Sequence, residues 1–133
     1  MGGVTDRRSL ENRRVYVIDD DPAVRESTVF LLAALGFEPR PFADARAFLA
    51  ALAELPPACI LTDLRMPGVD GWELAAALRA RKPGWPMLLM TSDSAPGLAE
   101  RATALGFAAL LVKPLDAALL AQALDDAFAH FPA

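Results

Sequence analysis

Val15-Tyr16-Val17-Ile18-Asp19-Asp20-Asp21-Pro22 is a short apolar run that ends on aspartates and passes straight into a proline. A bounded run of this length, partly β-branched, reads as a buried strand. Pro22 suits the first turn of a helix, where its missing N–H is not needed. The same plan recurs in Cys59-Ile60-Leu61-Thr62-Asp63, Met87-Leu88-Leu89-Met90-Thr91 and Leu110-Leu111-Val112-Lys113-Pro114, each closed by a polar residue at its C-terminal end. Strands alternating with helices imply a parallel sheet covered on both faces, joined by right-handed crossovers. The C-terminal ends of such strands face one crevice, where ligands bind. Residues far apart in sequence, Asp19, Asp20, Asp63, Thr91 and Lys113, are therefore expected in one pocket.

The elements between these runs complete an α/β fold of five strands and five helices. A first helix is expected over residues 22–35, with Val24, Leu31, Leu32 and Leu35 inward and Gly36 as its stop. Residues 38–42 form a weak strand; Pro39 and Pro41 remove two ladder donors and assign it to a sheet edge. Asp44 is positioned to cap a second helix carrying Phe48, Leu49, Leu52 and Leu55, ended by Pro56 and Pro57. After the loop punctuated by Pro67, Gly68 and Gly71, a third helix is expected over residues 72–81. A fourth is expected over residues 96–105, with Leu98, Ala102 and Leu105 inward and Gly106 as its stop, and a fifth strand over residues 108–112. Asp116 is positioned to cap a last helix carrying Leu119, Leu120, Leu124, Phe128 and Phe131.

The 133 residues fit one domain, and 54% hydrophobic with 23% charged residues is enough for a core and excludes wholesale disorder. No apolar run is long enough to span a bilayer, and the first eight residues lack the apolar stretch of a signal peptide. The single cysteine, Cys59, falls in a predicted buried strand and reads as core packing; with no internal disulfide available, a cytoplasmic location is expected. A net charge of -4 argues against nucleic-acid binding by this chain alone. Arg7, Arg8, Arg13 and Arg14 are interrupted by Asp6 and Glu11, so residues 1–12 read as a flexible N-terminal extension before a domain over 13–133. His130 reads as a helix-end surface residue.

Three carboxylates in one crevice resist joint ionisation. A divalent cation removes the conflict, and an all-oxygen set without His or Cys points to Mg²⁺, with Mn²⁺ as the related choice, rather than zinc. With Asp19 and Asp20 neutralised, Asp63 is free to attack phosphorus, a known role for carboxylates. Lys113 can hold a phosphate oxygen as a compact charge, and the Thr91 hydroxyl can donate to another. Each residue has a bland alternative: Asp20-Asp21-Pro22 as a helix cap, Asp63 as turn chemistry, Thr91 as a loop hydroxyl, Lys113 as a surface lysine. Their joint placement at four strand ends makes the combination specific.

Val17-Ile18-Asp19-Asp20-Asp21, Thr62-Asp63-Leu64-Arg65-Met66-Pro67-Gly68-Val69-Asp70-Gly71, Met90-Thr91-Ser92 and Val112-Lys113-Pro114 resemble the receiver domains of two-component response regulators. The resemblance covers nearly everything after Arg13, and Asp63-Leu64-Arg65-Met66-Pro67 is most similar to the nitrogen-fixation-type regulators, which usually carry a helix-turn-helix output domain. It implies a flavodoxin-like doubly wound sheet of strand order 2-1-3-4-5, with the ligand crevice at the point where the strand order reverses. It implies that Asp63 accepts phosphate from a histidine kinase or phosphotransfer protein. Asp20 and Asp63 would ligate Mg²⁺ by side chain, Asp19 directly or through water, and Arg65 through its backbone carbonyl. Thr91 would move toward the phosphate, Lys113 would bind it, and the Lys113–Pro114 bond would be cis. It also suggests homodimerisation through the fourth helix, fifth strand and fifth helix.

The family usually has Tyr or Phe three residues before the lysine; here that position is Leu110, and Ala109 stands where an acidic residue is common. The acceptor chemistry is untouched, but the aromatic half of the usual signal readout is missing. Two other readings compete. A docking module independent of phosphate would need none of Asp19, Asp20, Asp63, Thr91 and Lys113. A Mg²⁺ phosphatase of the haloacid-dehalogenase type would have Asp two residues after its nucleophile, where Arg65 stands. The end at His130-Phe131-Pro132-Ala133 fits either a single-domain regulator or the N-terminal part of a longer protein.

Overall fold

The computed structural model describes residues 13–93 and 95–129; the N-terminal extension, His130 and Phe131 lie outside the described residues. The elements are β1 (Arg14–Ile18), α1 (Pro22–Ala34), β2 (Glu38–Phe42), α2 (Ala45–Ala51), β3 (Cys59–Asp63), α3 (Gly71–Arg81), β4 (Met87–Thr91), α4 (Leu98–Ala104), β5 (Ala109–Val112) and α5 (Ala117–Ala129). All neighbouring strands pair in parallel in the order β2-β1-β3-β4-β5. This is the doubly wound, flavodoxin-like sheet expected from the sequence.

The sheet separates two apolar clusters, and strand alternation decides which residue enters which. Tyr16, Ile18, Ile60 and Leu89 point to the side covered by Phe48 of α2, Leu74 and Leu78 of α3, and Ala102 of α4. Val15, Val17, Leu61 and Met90 point to the side covered by Leu32 of α1 and by Leu120 and Leu124 of α5. Cys59 belongs to this second cluster, and burial pushes its thiol pKa well up, as packing rather than reactivity requires. β2 is an edge strand, so Pro39 and Pro41, opposite Val15 and Val17, cost no outer ladder bond.

Helix ends follow local chemistry. Asp21 accepts from the N–H groups of Ala23 and Val24 at 3.0 and 3.3 Å, so Asp21 is the cap of α1 while its neighbours Asp19 and Asp20 are not. Asp44 caps α2, and Asp116 accepts from Leu119 N–H at 3.0 Å. Gly36 and Gly106 stop α1 and α4 in the same way, each with positive φ and with the following Phe N–H bonded back to the helix.

Three expectations shift. The second helix does not run to Leu55: it tightens into a 3₁₀ turn over Leu52–Glu54 and leaves Leu55 extended, because the following Pro56 disfavours helical geometry there. Both leucines are nonetheless buried. The fourth helix begins at Leu98 rather than Pro96, since Gly97 takes a left-handed φ of 88° that a helix cannot contain. Leu119 is 63% exposed; the inward stripe of α5 is Leu120, Leu124 and Ala127, and a residue one step earlier is rotated away from it.

Candidate functional site

Asp63 is the last residue of β3 and Thr91 the last of β4, while Asp19 and Lys113 directly follow β1 and β5. Backbone bonds continue the sheet register past the strands: Asp19 N–H donates to Phe42 C=O at 3.3 Å, Leu64 N–H to Met90 C=O at 3.0 Å, and Lys113 N–H to Thr91 C=O at 2.8 Å. The four strand ends therefore stay aligned to the level of the polar residues.

Gly71 sets the floor of the following loop. Its N–H donates to Leu64 C=O at 2.9 Å. A Cβ there would lie 3.0 Å from both Asp63 O and Leu64 Cα and 3.1 Å from Leu89 Cδ1. Only glycine lets the start of α3 sit this close to the backbone of Asp63. Asp70 completes the start with a capping box to Glu73.

Asp19 is fully buried and held from several directions. Its Oδ1 accepts from Asp21 N–H at 3.0 Å, its Oδ2 meets Lys113 Nζ at 3.0 Å, and its carbonyl accepts from the Arg25 guanidinium at 2.7 Å. Lys113 Nζ also lies 3.2 Å from Asp63 Oδ1, which accepts Leu64 N–H at 3.0 Å. Asp20 is exposed at the rim. One carboxylate oxygen from each of Asp19, Asp20 and Asp63 can be chosen so that all lie within 4.8 Å of one another.

Burial raises the Asp63 pKa above the usual carboxylate value; the Lys113 charge opposes the rise and the Asp19 charge adds to it. For Lys113, burial works against the ammonium, but the hydrogen bond and charge of Asp19, with the charge of Asp63, outweigh it and raise its pKa. One cation thus serves two carboxylates, with a third close by. Octahedral oxygen ligands stand about 3–4 Å apart around a small hard cation, so the spacing of this acidic cluster could hold a metal ion.

The structure brings Asp19, Asp20, Asp63 and Lys113 together and puts Thr91 on the adjoining strand end. The Lys113–Pro114 bond is cis. Thr91 Oγ1 accepts from Asp93 N–H at 3.0 Å. Arg65, expected to contribute a carbonyl, sends its guanidinium outward to Asp93 Oδ2 at 2.8 Å. That hydrogen bond and the Ala95 N–H hold the Asp93 carboxyl below its usual pKa. Leu110 is half-buried opposite Leu89 and packs on the cluster beneath α2, α3 and α4. Sequence reasoning passed over Arg25 and Asp93. Arg25 carries no spacing signal, whereas Thr91-Ser92-Asp93 is a hydroxyl-to-amide turn sequence that could have been recognised.

The response regulator receiver domain family model matches residues 15–125. The chain is 42% identical over 113 residues to the transcriptional regulatory protein FixJ of Bradyrhizobium diazoefficiens, covering 85% of this chain and 55% of that protein. It is 34% identical to the DNA-binding transcriptional regulator NtrC of Salmonella typhimurium, covering 88% of this chain and 25% of that protein. The chain thus spans about half the length of its FixJ relatives. Among solved structures, FixJ-N superposes with a TM-score of 0.84 at 30% identity, covering 92% of this chain and 98% of that one. Full-length FixJ from B. japonicum gives 0.80 at 41% identity, over 87% and 57% of the two chains.

Proposed function

The chain belongs to the receiver domain family of two-component response regulators, and on that premise we propose that Asp63 is its phosphoacceptor, charged from the phosphohistidine of a kinase or phosphotransfer protein with Mg²⁺ bound. The observation that carries this reading is the placement of Asp63. Both of its contacts, Lys113 Nζ and Leu64 N–H, fall on Oδ1, which leaves Oδ2 as the oxygen to bond phosphorus. In the transfer, the Asp63 oxygen–phosphorus bond forms and the phosphorus–nitrogen bond of the donor breaks. The electron pair leaves on the imidazole nitrogen, which takes up a proton.

Asp20 and Asp63, with Asp19 directly or through water and the Arg65 carbonyl, would hold the Mg²⁺, which would supply neutralisation of the phosphoryl oxygens. Lys113 turns from its bridge between Asp19 and Asp63 to pair with a phosphoryl oxygen. Thr91 donates its hydroxyl to another. The consequence is a shift between two conformations of a protein-binding face. Val112 and Leu119, 53% and 63% exposed on β5 and α5, support homodimerisation through the α4–β5–α5 face. Sedimentation that finds a monomer with and without beryllofluoride would remove that part.

The domain proper spans residues 13–133, and the net charge of -4 supports leaving any DNA contact to a different domain. No helix among the described residues is long and apolar enough to cross a membrane, and the sole cysteine is buried, which supports a cytoplasmic setting.

The test is intact mass after incubation with Mg²⁺ and acetyl phosphate. One phosphoryl adduct is expected, absent after chelation and in Asp63→Asn. If neither acetyl phosphate nor beryllofluoride with Mg²⁺ modifies the protein, the acceptor reading fails.

A further inference from the structure

Two loops leave the crevice on the side of α3 and α4, one after Asp63 and one after Thr91, and among the described residues one side-chain ion pair joins them. Arg65 Nη2 meets Asp93 Oδ2 at 2.8 Å. Asp93 is anchored by its other atoms as well: Oδ1 accepts Ala95 N–H at 2.9 Å, and its own N–H donates to Thr91 Oγ1 at 3.0 Å. The carboxylate of Asp93 and the hydroxyl of Thr91 therefore belong to one short chain of contacts that begins at Arg65.

We propose that the Arg65–Asp93 pair is a latch that holds the turn after β4 with Thr91 Oγ1 engaged by Asp93 N–H, so that these two positioning residues set how readily the Thr91 hydroxyl turns to a phosphoryl group on Asp63. The inference deepens the phosphoacceptor reading and rests on it. Arg65 is exposed and Asp93 only partly covered, so the pair is screened by salt and of modest strength. A modest bias is what a switch needs, since a resting state fixed too firmly would not respond. A phosphoryl group on Asp63 would accept the Thr91 O–H, and turning Oγ1 toward it gives up the bond from Asp93 N–H, which releases the turn.

The test is a double-mutant cycle on beryllofluoride affinity at saturating Mg²⁺ and low salt. Asp93→Asn keeps the acceptor for Ala95 N–H and removes the charge; Arg65→Gln keeps the loop backbone. Each is expected to tighten beryllofluoride binding, by roughly 1.5- to 5-fold for an exposed pair. The double variant should gain no more than either single one, Arg65→Lys should match wild type, and the differences should vanish at about 1 M salt. Additive effects, unchanged affinities or persistence in high salt would overturn the latch. Amide exchange at Asp93, read by NMR without any phosphoryl mimic, supplies the independent measurement. Arg65→Gln should speed it by a similar factor, and an unchanged rate would overturn the latch. If wild type fails to bind beryllofluoride, the acceptor reading falls instead, and the exchange rate still decides the latch.

Discussion

Replacing Lys113 with methionine keeps the apolar stem and deletes the one cation between Asp19 and Asp63. The side chains of Lys113, Asp19 and Asp63 are 17%, 0% and 12% exposed, so this is a buried cluster and not a surface pair. At contact distances of 3.0 and 3.2 Å, an effective dielectric of about 20 gives about 5 kcal/mol of gross attraction per pair. Part of that offsets the desolvation of the ammonium, which the substitution recovers. Breaking a buried pair by removing one partner costs about 3–5 kcal/mol net. The remaining solvent access of Lys113 and Asp63 puts this case near the lower end, about 3 kcal/mol, or roughly a 10 °C drop in Tm for a domain this size. The sign with pH follows from Asp63. Its pKa is already raised by burial and by Asp19, and rises further without Lys113, so the stability lost at pH 8 returns as pH falls below its folded pKa. Urea melts in EDTA at pH 8 and pH 5 should show the cost shrinking toward pH 5, and added Mg²⁺ should stabilise Lys113→Met more than wild type. A cost below about 1 kcal/mol at pH 8, one that does not change with pH, or an equal Mg²⁺ response would refute the electrostatic account.

Gly71→Ala puts a Cβ 3.0 Å from the backbone of Asp63 and Leu64, and should cost about 1–3 kcal/mol in a urea melt and slow phosphoryl uptake by shifting the acceptor; an unchanged midpoint would show that the loop yields. Because the Asp63 pKa is raised, protons compete with Mg²⁺, and titration calorimetry should find Mg²⁺ affinity falling from pH 8 toward pH 5; a flat profile would exclude Asp63 from the ligand set. Burial raises the Tyr16 pKa, with Arg14 and Arg40 opposing. Its contribution is therefore full below about pH 10, the ordinary tyrosine value, and lost as pH rises further. Tyr16→Phe removes the hydroxyl's bond to Pro56 C=O, should cost about 1 kcal/mol at pH 7, and should flatten the alkaline loss; an unaltered alkaline slope would assign it elsewhere.

What was legible in the sequence and what was not divides along physical lines. A buried strand must be apolar and must end, so the polar residues that close Val15–Ile18, Cys59–Thr62 and Met87–Met90 mark the crevice without any knowledge of packing. Asp44 and Asp116 were readable as caps because a cap acts within its own turn. Leu119 was misassigned because helical phase is set by the tertiary contact of Leu120 and Leu124, which composition does not specify. Arg25 on the Asp19 carbonyl and Arg65 on Asp93 were hidden for a related reason: long flexible cations choose partners in space. Leu110 was legible as a departure, yet where it packs became visible only with Leu89 opposite it.

The close seat of Gly71 on Asp63 makes the crevice mechanically lopsided. With backbone atoms in contact and no side chain between them, the wall on the α3 side behaves as a stator. On the same face of the sheet, α4 is seven residues long and starts after a left-handed Gly97 with open space around it. A displacement at Asp63 would therefore meet close backbone packing on the α3 side and open space near Gly97, so the turn after β4 is the direction of least resistance.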